Sequence, residues 1–211
     1  MNYFLEGILF WPGRARHALG FGLHSPYAFS MVTGTLRGTA SGYYAYDALR
    51  GIATRHGRTE CEARSLYRLL LHLRSLFPGA ALSLAPSTTR FLSPSSFLSE
   101  IAFLAFPPEG ALPSFHTIAS APVAAPPSVL LLADRFQGSP EKMAAEVRAA
   151  LSASQSAFLL SGINRSPQAR ILRRLLLENP PEGMVFDGWH TLLAVSRRGL
   201  PRQKFSVLFP R

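Results

Sequence analysis

The chain alternates between stretches with helical hydrophobic spacing and short apolar runs without it, and that alternation is the first guide to its fold. From Glu60 to Phe77 the positions Leu66, Leu69, Leu70, Leu73, Leu76 and Phe77 recur at helical spacing, with Arg64, Arg68 and Arg74 mostly off that face. This is the clearest helix in the chain, and Pro78-Gly79 ends it. Three Ser-Pro pairs read as helix starts, because serine caps the free N–H groups and proline suits the first turn. Ser25-Pro26 opens a helix whose apolar positions begin at Tyr27, Phe29, Met31 and Val32. Ser139-Pro140-Glu141 opens one through Leu151, with Met143, Ala144, Val147 and Leu151 inward, and Ser166-Pro167 opens one with Ile171, Leu172, Leu175 and Leu176 on a face. Tyr43 to Arg50 reads as a further short helix.

Between these lie the apolar runs. Ala80–Ala85, Ile101–Phe106, Phe115–Ala119, Val129–Ala133 and Ala157–Leu160 read as buried strands. Met184–Ser196 and Lys204–Phe209 read as two more, joined by the turn Arg197–Pro201 as an antiparallel hairpin. Together they predict an α/β fold: a mostly parallel, Rossmann-like sheet with helices on both faces and a C-terminal antiparallel hairpin. A helical extension over residues 1–58 would precede the α/β domain of residues 59–211. No internal repeat is evident.

Composition agrees with a folded chain, since 47% of its 211 residues are hydrophobic. A net charge of +10 would favour nucleic acid, an anionic lipid surface or an acidic protein partner. Yet only Lys142 and Lys204 are lysines, and the arginines are spread without a run of five. Such a spread fits an arginine coding bias about as well as a binding face. The nucleic-acid reading therefore rests on charge alone, and requires Arg64, Arg68, Arg170, Arg173, Arg174, Arg197 and Arg198 to form one face. Cys61 is the sole cysteine and reads as a small half-buried helix residue, with a reducing compartment as its natural home. Glu6 interrupts the first apolar stretch and no small-residue cleavage site follows it, so no signal peptide is expected. No membrane span is expected either, and the cytoplasm is the default location. Tyr3–Trp11, followed by Arg14 and Arg16, suits packing onto its own domain better than onto a membrane surface or a partner.

In sheets of this kind ligands sit beyond the carboxyl ends of the parallel strands. The element order, with Gly22-Leu23-His24-Ser25-Pro26-Tyr27-Ala28-Phe29 near the start and Gly199-Leu200-Pro201-Arg202-Gln203-Lys204-Phe205 near the end, resembles a group of bacterial class I S-adenosylmethionine-dependent methyltransferases, of which this chain would be a degenerate member. The resemblance covers nearly the full length, carried through the middle by element order, and much of the loop between the second and third strands is lost. It implies S-adenosylmethionine as cofactor and places the cofactor contacts at Ser83, Ala85, Ser87, Thr88, Ala105 and Asp134. Ser83 stands where the family has an acid, and Ala85 and Thr89 stand where it has glycines. Ala105 stands where an acid holds the ribose hydroxyls. Asp134 alone matches an acidic position, and Ser161-Gly162-Ile163-Asn164 lacks an expected pair of aspartates.

One carboxylate beside Asn164 is a poor set of hard ligands, so no metal is expected. His24 and Asn164 are the weak catalytic candidates, His24 as a general base if the first segment folds over the cleft. The competing role for His24 is a backbone hydrogen bond at the helix start. Asp187-Gly188-Trp189-His190 reads as a structural bend or bulge. No nucleophile elbow or phosphate loop is present, which removes hydrolase and kinase readings. Three functions remain open: a working methyltransferase in which Ser87 and Thr88 supply hydroxyls and N–H groups, a non-catalytic binding or scaffold module, and a basic protein for RNA or an anionic surface. The missing groups favour the second. A substrate, a protein partner or a second copy of the chain would be its ligand.

Overall fold

A computed structural model describes residues 25–36, 45–77, 81–83, 96–105, 128–133, 139–153, 155–188 and 190–207. Its helices are α1 (Pro26–Ser30, running on into a π-helical segment Met31–Leu36), α2 (Tyr46–Arg55), α3 (Glu60–Leu76), α4 (Ser96–Ala105), α5 (Pro140–Ala153) and α6 (Pro167–Glu178). Its strands are β1 (Ala81–Ser83), β2 (Ser128–Ala133), β3 (Gln155–Leu160), β4 (Met184–Asp187), β5 (Leu192–Ser196) and β6 (Gln203–Ser206). They form one mixed sheet in the order β1-β2-β3-β5-β4-β6. β1, β2 and β3 pair in parallel, β5 is antiparallel to both β3 and β4, and β6 is parallel to β4.

β3, β4 and β5 are buried on both faces, which explains why they read as continuous apolar runs. Ala157, Leu159, Met184, Phe186, Leu193 and Val195 point into a core shared with α1 to α4. Their alternating neighbours Phe158, Leu160, Val185, Leu192 and Ala194 point into a second core with α5 and α6. The result is three layers, helices on either side of a sheet. Residues on both sides of the 58/59 division, Ala28, Leu49 and Ile52 before it and Leu66 and Leu70 after it, share the first core.

The three caps form as the Ser-Pro spacing predicts. Ser25, Ser139 and Ser166 each accept a hydrogen bond from the N–H three residues on, of Ala28, Lys142 and Ala169. The inward residues of α5 are the four expected. Phe29 departs from its expected face and is 48% exposed. Cys61 lies in the first turn of α3 and is exposed, not half-buried.

Three element assignments are corrected. Ile101–Phe106 is not a strand. Together with Phe97 and Leu98, the buried Ile101, Ala102 and Ala105 repeat at helical spacing and form one face of α4 against α3. A short apolar run taken by itself carries no period, so only the residues upstream reveal it. Met184–Ser196 is two strands, because the chain reverses over residues 188–191 to form the β4–β5 hairpin. The turn at 197–201 consequently returns β6 to the far side of β4, in parallel, and forms no hairpin. The expected strand at Phe115–Ala119 lies outside the described residues.

A half-buried polar pair packs at the margin of the first core. Tyr27 of α1 and His72 of α3 lie with ring centroids 6.3 Å apart, and neither the Tyr27 hydroxyl nor His72 Nε2 has a hydrogen-bond partner among the described residues. Burial raises the Tyr27 phenol above its usual range, against a smaller opposing pull from Arg197. Burial lowers the His72 pKa from 6.5, so the folded state favours the neutral ring. The unfolded chain then binds the proton more readily, and the associated stability is present above about pH 6.5 and is lost as pH falls toward the folded-state pKa. In denaturant melts between about pH 7 and pH 5, the native chain is expected to lose up to about 1.4 kcal/mol per pH unit through this group. His72→Phe should flatten that part of the profile. An unchanged slope would assign the acid sensitivity elsewhere.

Candidate functional site

The strand registers bring five chain positions into a line across the carboxyl edge of the parallel strands. Ala133 pairs with Leu160, Leu160 with Leu192, Leu192 with Asp187, and Asp187 with Ser206. Ser83, the last described residue of β1, is in register with Leu131, two residues before the line. By the general rule for open α/β sheets, this edge is where a ligand would be held.

The turn after β3 is built tightly at this edge. Ser161 is buried, Gly162 adopts φ 65, and Ile163–Arg165 form one 3-10 turn. The Ile163 N–H donates to the His190 carbonyl at 3.1 Å, which stitches this turn to the β4–β5 hairpin. Within the hairpin the Gly188 N–H donates to the Thr191 carbonyl at 2.8 Å, and the His190 N–H to the Gly188 carbonyl at 2.9 Å. Asn164 is exposed, and its neighbour Arg165 reaches Glu62 of α3 at 3.3 Å.

Asp187 is the acidic residue on this line. Its side chain is only 5% exposed, and both its oxygens accept from Arg173 of α6, Nε to Oδ1 and Nη2 to Oδ2, each at 2.7 Å. A planar guanidinium matches a carboxylate in this two-point way better than any other side chain. The pair is a fastening between α6 and the end of β4, so the carboxylate is committed to the protein and closed to a ligand. The bend expected at Asp187-Gly188-Trp189-His190 is present at 188–191, but the buried pair at its start is not visible in a reading of that motif alone.

The candidate positions separate into three groups. Ser83 and Asn164 lie at the carboxyl edge, Ser83 through its backbone in β1 and Asn164 as an exposed side chain beyond β3. Ala105 does not. It is a fully buried residue of α4, and its carbonyl accepts from Arg74 Nη1 at 3.1 Å, so it cannot follow a strand toward a ribose. His24, Ala85, Ser87, Thr88 and Asp134 lie outside the described residues, Asp134 directly after the end of β2.

A second cluster, one that hydropathy does not reveal, joins α2 to α4. His56 Nε2 lies 2.8 Å from Glu100 Oε1, and Arg55 donates to Glu100 Oε2 at 2.5 Å. The hydrogen bond from His56, helped by Arg55, holds the Glu100 carboxyl below its usual range. The His56 ring also packs edge-on against Phe97, with centroids 5.8 Å apart. This arrangement ties the C-terminal end of α2 to the middle of α4.

The arginines required for one basic face are divided between layers. Arg64 and Arg68 belong to α3 on one side of the sheet, and Arg170, Arg173 and Arg174 to α6 on the other. Several are already engaged: Arg64 pairs with Glu60 and stands 4.1 Å over the Tyr46 ring, and Arg174 lies 3.8 Å from Glu178. Among the described residues no group of three histidine, cysteine or acidic side chains is placed to hold a metal ion, and no helix is long and apolar enough to cross a membrane. Compared with family models, curated proteins and solved structures, the chain gives no match.

Proposed function

We propose that this chain is a methyltransferase-like module of Rossmann-like architecture whose S-adenosylmethionine site is degraded, and that it serves as a non-catalytic binding or scaffold protein. Supporting the architecture are a sheet with five mutually parallel strands, helices on both faces, and the end motifs at 22–29 and 199–205. The observation that carries the functional reading is the chemistry of the carboxyl edge. The acid on its line across the sheet, Asp187, is engaged by Arg173, while Ser83 and Asn164 occupy positions at which the resemblance expects acids. The alternative, a working enzyme, would depend on Ser87, Thr88 and Asp134 for the whole of cofactor recognition.

Thermal melting with added S-adenosylmethionine tests this reading. Millimolar ligand stabilises a protein with a micromolar site by about 4 kcal/mol, but one with a site three decades weaker by only about 0.4 kcal/mol. For a domain of this size those values correspond to Tm shifts of about 10 °C and about 1 °C. The degraded site predicts the smaller shift, and the larger would restore the enzyme reading.

A further inference from the structure

Between α2 and α4 lies a groove of about 660 Å³, lined on the α2 side by Asp47, Ala48, Gly51, Ile52 and Arg55 and on the α4 side by residues that include Glu100 and Phe103. Its position on the outer helical layer, its apolar floor and the 37% exposure of Phe103 mark it as an unfilled surface of the described fold. Phe103 is one of two large apolar side chains so exposed among the described residues.

The arrangement along α2 identifies an occupant. Asp47 stands four residues before Gly51 and Arg55 four residues after it, so the three share one stripe of the helix with opposite charges at equal distances from the glycine. Gly51 has a helical backbone and no positive φ to account for it. A Cβ there would meet only Arg55 Nη1, at 3.5 Å, so nothing among the described residues requires the glycine. A glycine inside an exposed helix weakens that helix, and what it provides here is close approach of another backbone. Arg55 uses part of its five-donor fork on Glu100 and remains 62% exposed.

We infer that a second copy of this chain docks in the groove, with the two α2 helices crossing antiparallel at Gly51 so that each Asp47 faces the partner's Arg55. Such an interface is isologous, and the charge pattern about Gly51 is self-complementary as a two-fold axis requires. The two Phe103 rings flank the crossing and lose their exposure. The Asp47 and Glu100 carboxylates on the rim disfavour a nucleic-acid strand on the same surface.

The test is sedimentation velocity of the full chain over a concentration series, with Asp47→Lys, Arg55→Glu and Gly51→Gln. The wild type should associate to a dimer, and each charge reversal should weaken association by about tenfold or more. An equimolar mixture of Asp47→Lys and Arg55→Glu should recover it, since the mixed pair restores both opposite-charge contacts. Gly51→Gln should raise Tm, as a better helix former, while abolishing the dimer; this variant keeps the test decisive if Arg55→Glu folds poorly. A monomeric wild type at every concentration would overturn the inference. So would a dimer indifferent to Gly51→Gln, or a mixture that fails to recover association.

Discussion

Arg173→Ala is expected to destabilise the protein by about 3 to 5 kcal/mol, because it leaves the Asp187 carboxylate buried without its counter-charge. The native pair has two 2.7 Å hydrogen bonds, with side chains 13% and 5% exposed. Against a total stability of about 5 to 15 kcal/mol, such a loss is large enough to appear as reduced soluble yield. Replacing both partners separates a fastening from a mere accumulation of charge. Arg173→Met with Asp187→Leu should recover most of the loss, since an apolar pair of similar volume avoids the desolvation cost of both ions. Chemical denaturation of the two single variants and the double variant measures the coupling. Additive single effects would show that the two side chains act independently.

Gly183→Ala is expected to cost a similar amount through the backbone. Gly183 has φ 90 immediately before β4, and a Cβ there would fall 2.1 Å from the Val195 carbonyl oxygen and 2.9 Å from Ser196 Cα, both in the backbone of β5. Those atoms belong to the ladder that pairs β4 with β5, so they cannot retreat without breaking it. The left-handed conformation costs an L-residue about 1 to 2 kcal/mol, and forcing extra volume into a packed contact costs about 1 to 3 more. Gly57 provides the control, with φ 59 and nothing within 4 Å of its would-be Cβ. Gly57→Ala should therefore show the backbone cost alone, about 1 to 2 kcal/mol. Urea melts of the two variants compare them directly; equal losses would mean that β5 yields to the added methyl group.

These two positions also show where the sequence is readable. Serine-proline pairs and sustained 3.6-residue spacing identify α3, α5 and α6 because each signal is local and repeated. The helix expected at Tyr43–Arg50 instead runs through Gly51 to Arg55, since Leu49, Ile52 and Ala53 continue its buried face past a residue that usually marks a stop. α4 is lost to a strand reading when its last six residues are taken without Phe97 and Leu98. The β4–β5 hairpin is hidden inside one apolar stretch, and the placement of β6 beside β4 depends on the whole sheet, which no local spacing encodes.

The Arg173–Asp187 pair did leave a trace. Ala169, Leu172, Arg173 and Leu176 follow the spacing of a buried helical stripe, so an arginine at the third of these positions calls for a buried acid. Asp187, ending the apolar run Met184–Phe186, is the matching anomaly on a strand. Neither residue looks unusual in a search for catalytic motifs, because their chemistry is spent on holding the fold. Of the sequence-based site positions, the cofactor candidate Ser83 and the catalytic candidate Asn164 share the carboxyl edge, whereas the cofactor candidate Ala105 rested on a strand reading of what is helix α4.

Calorimetric titration of S-adenosylmethionine and S-adenosylhomocysteine into the full chain tests the degraded-site account most directly. Loss of two hydrogen-bonding carboxylates removes about 3 to 6 kcal/mol of binding at about 1.5 to 3 kcal/mol each. That is about two to four decades in affinity, so a site that began micromolar should bind no more tightly than about 0.1 mM. The account predicts no saturable heat at micromolar ligand. Micromolar binding that disappears in Asp134→Ala would contradict it, and would identify Asp134 as the anchor of a working cofactor site.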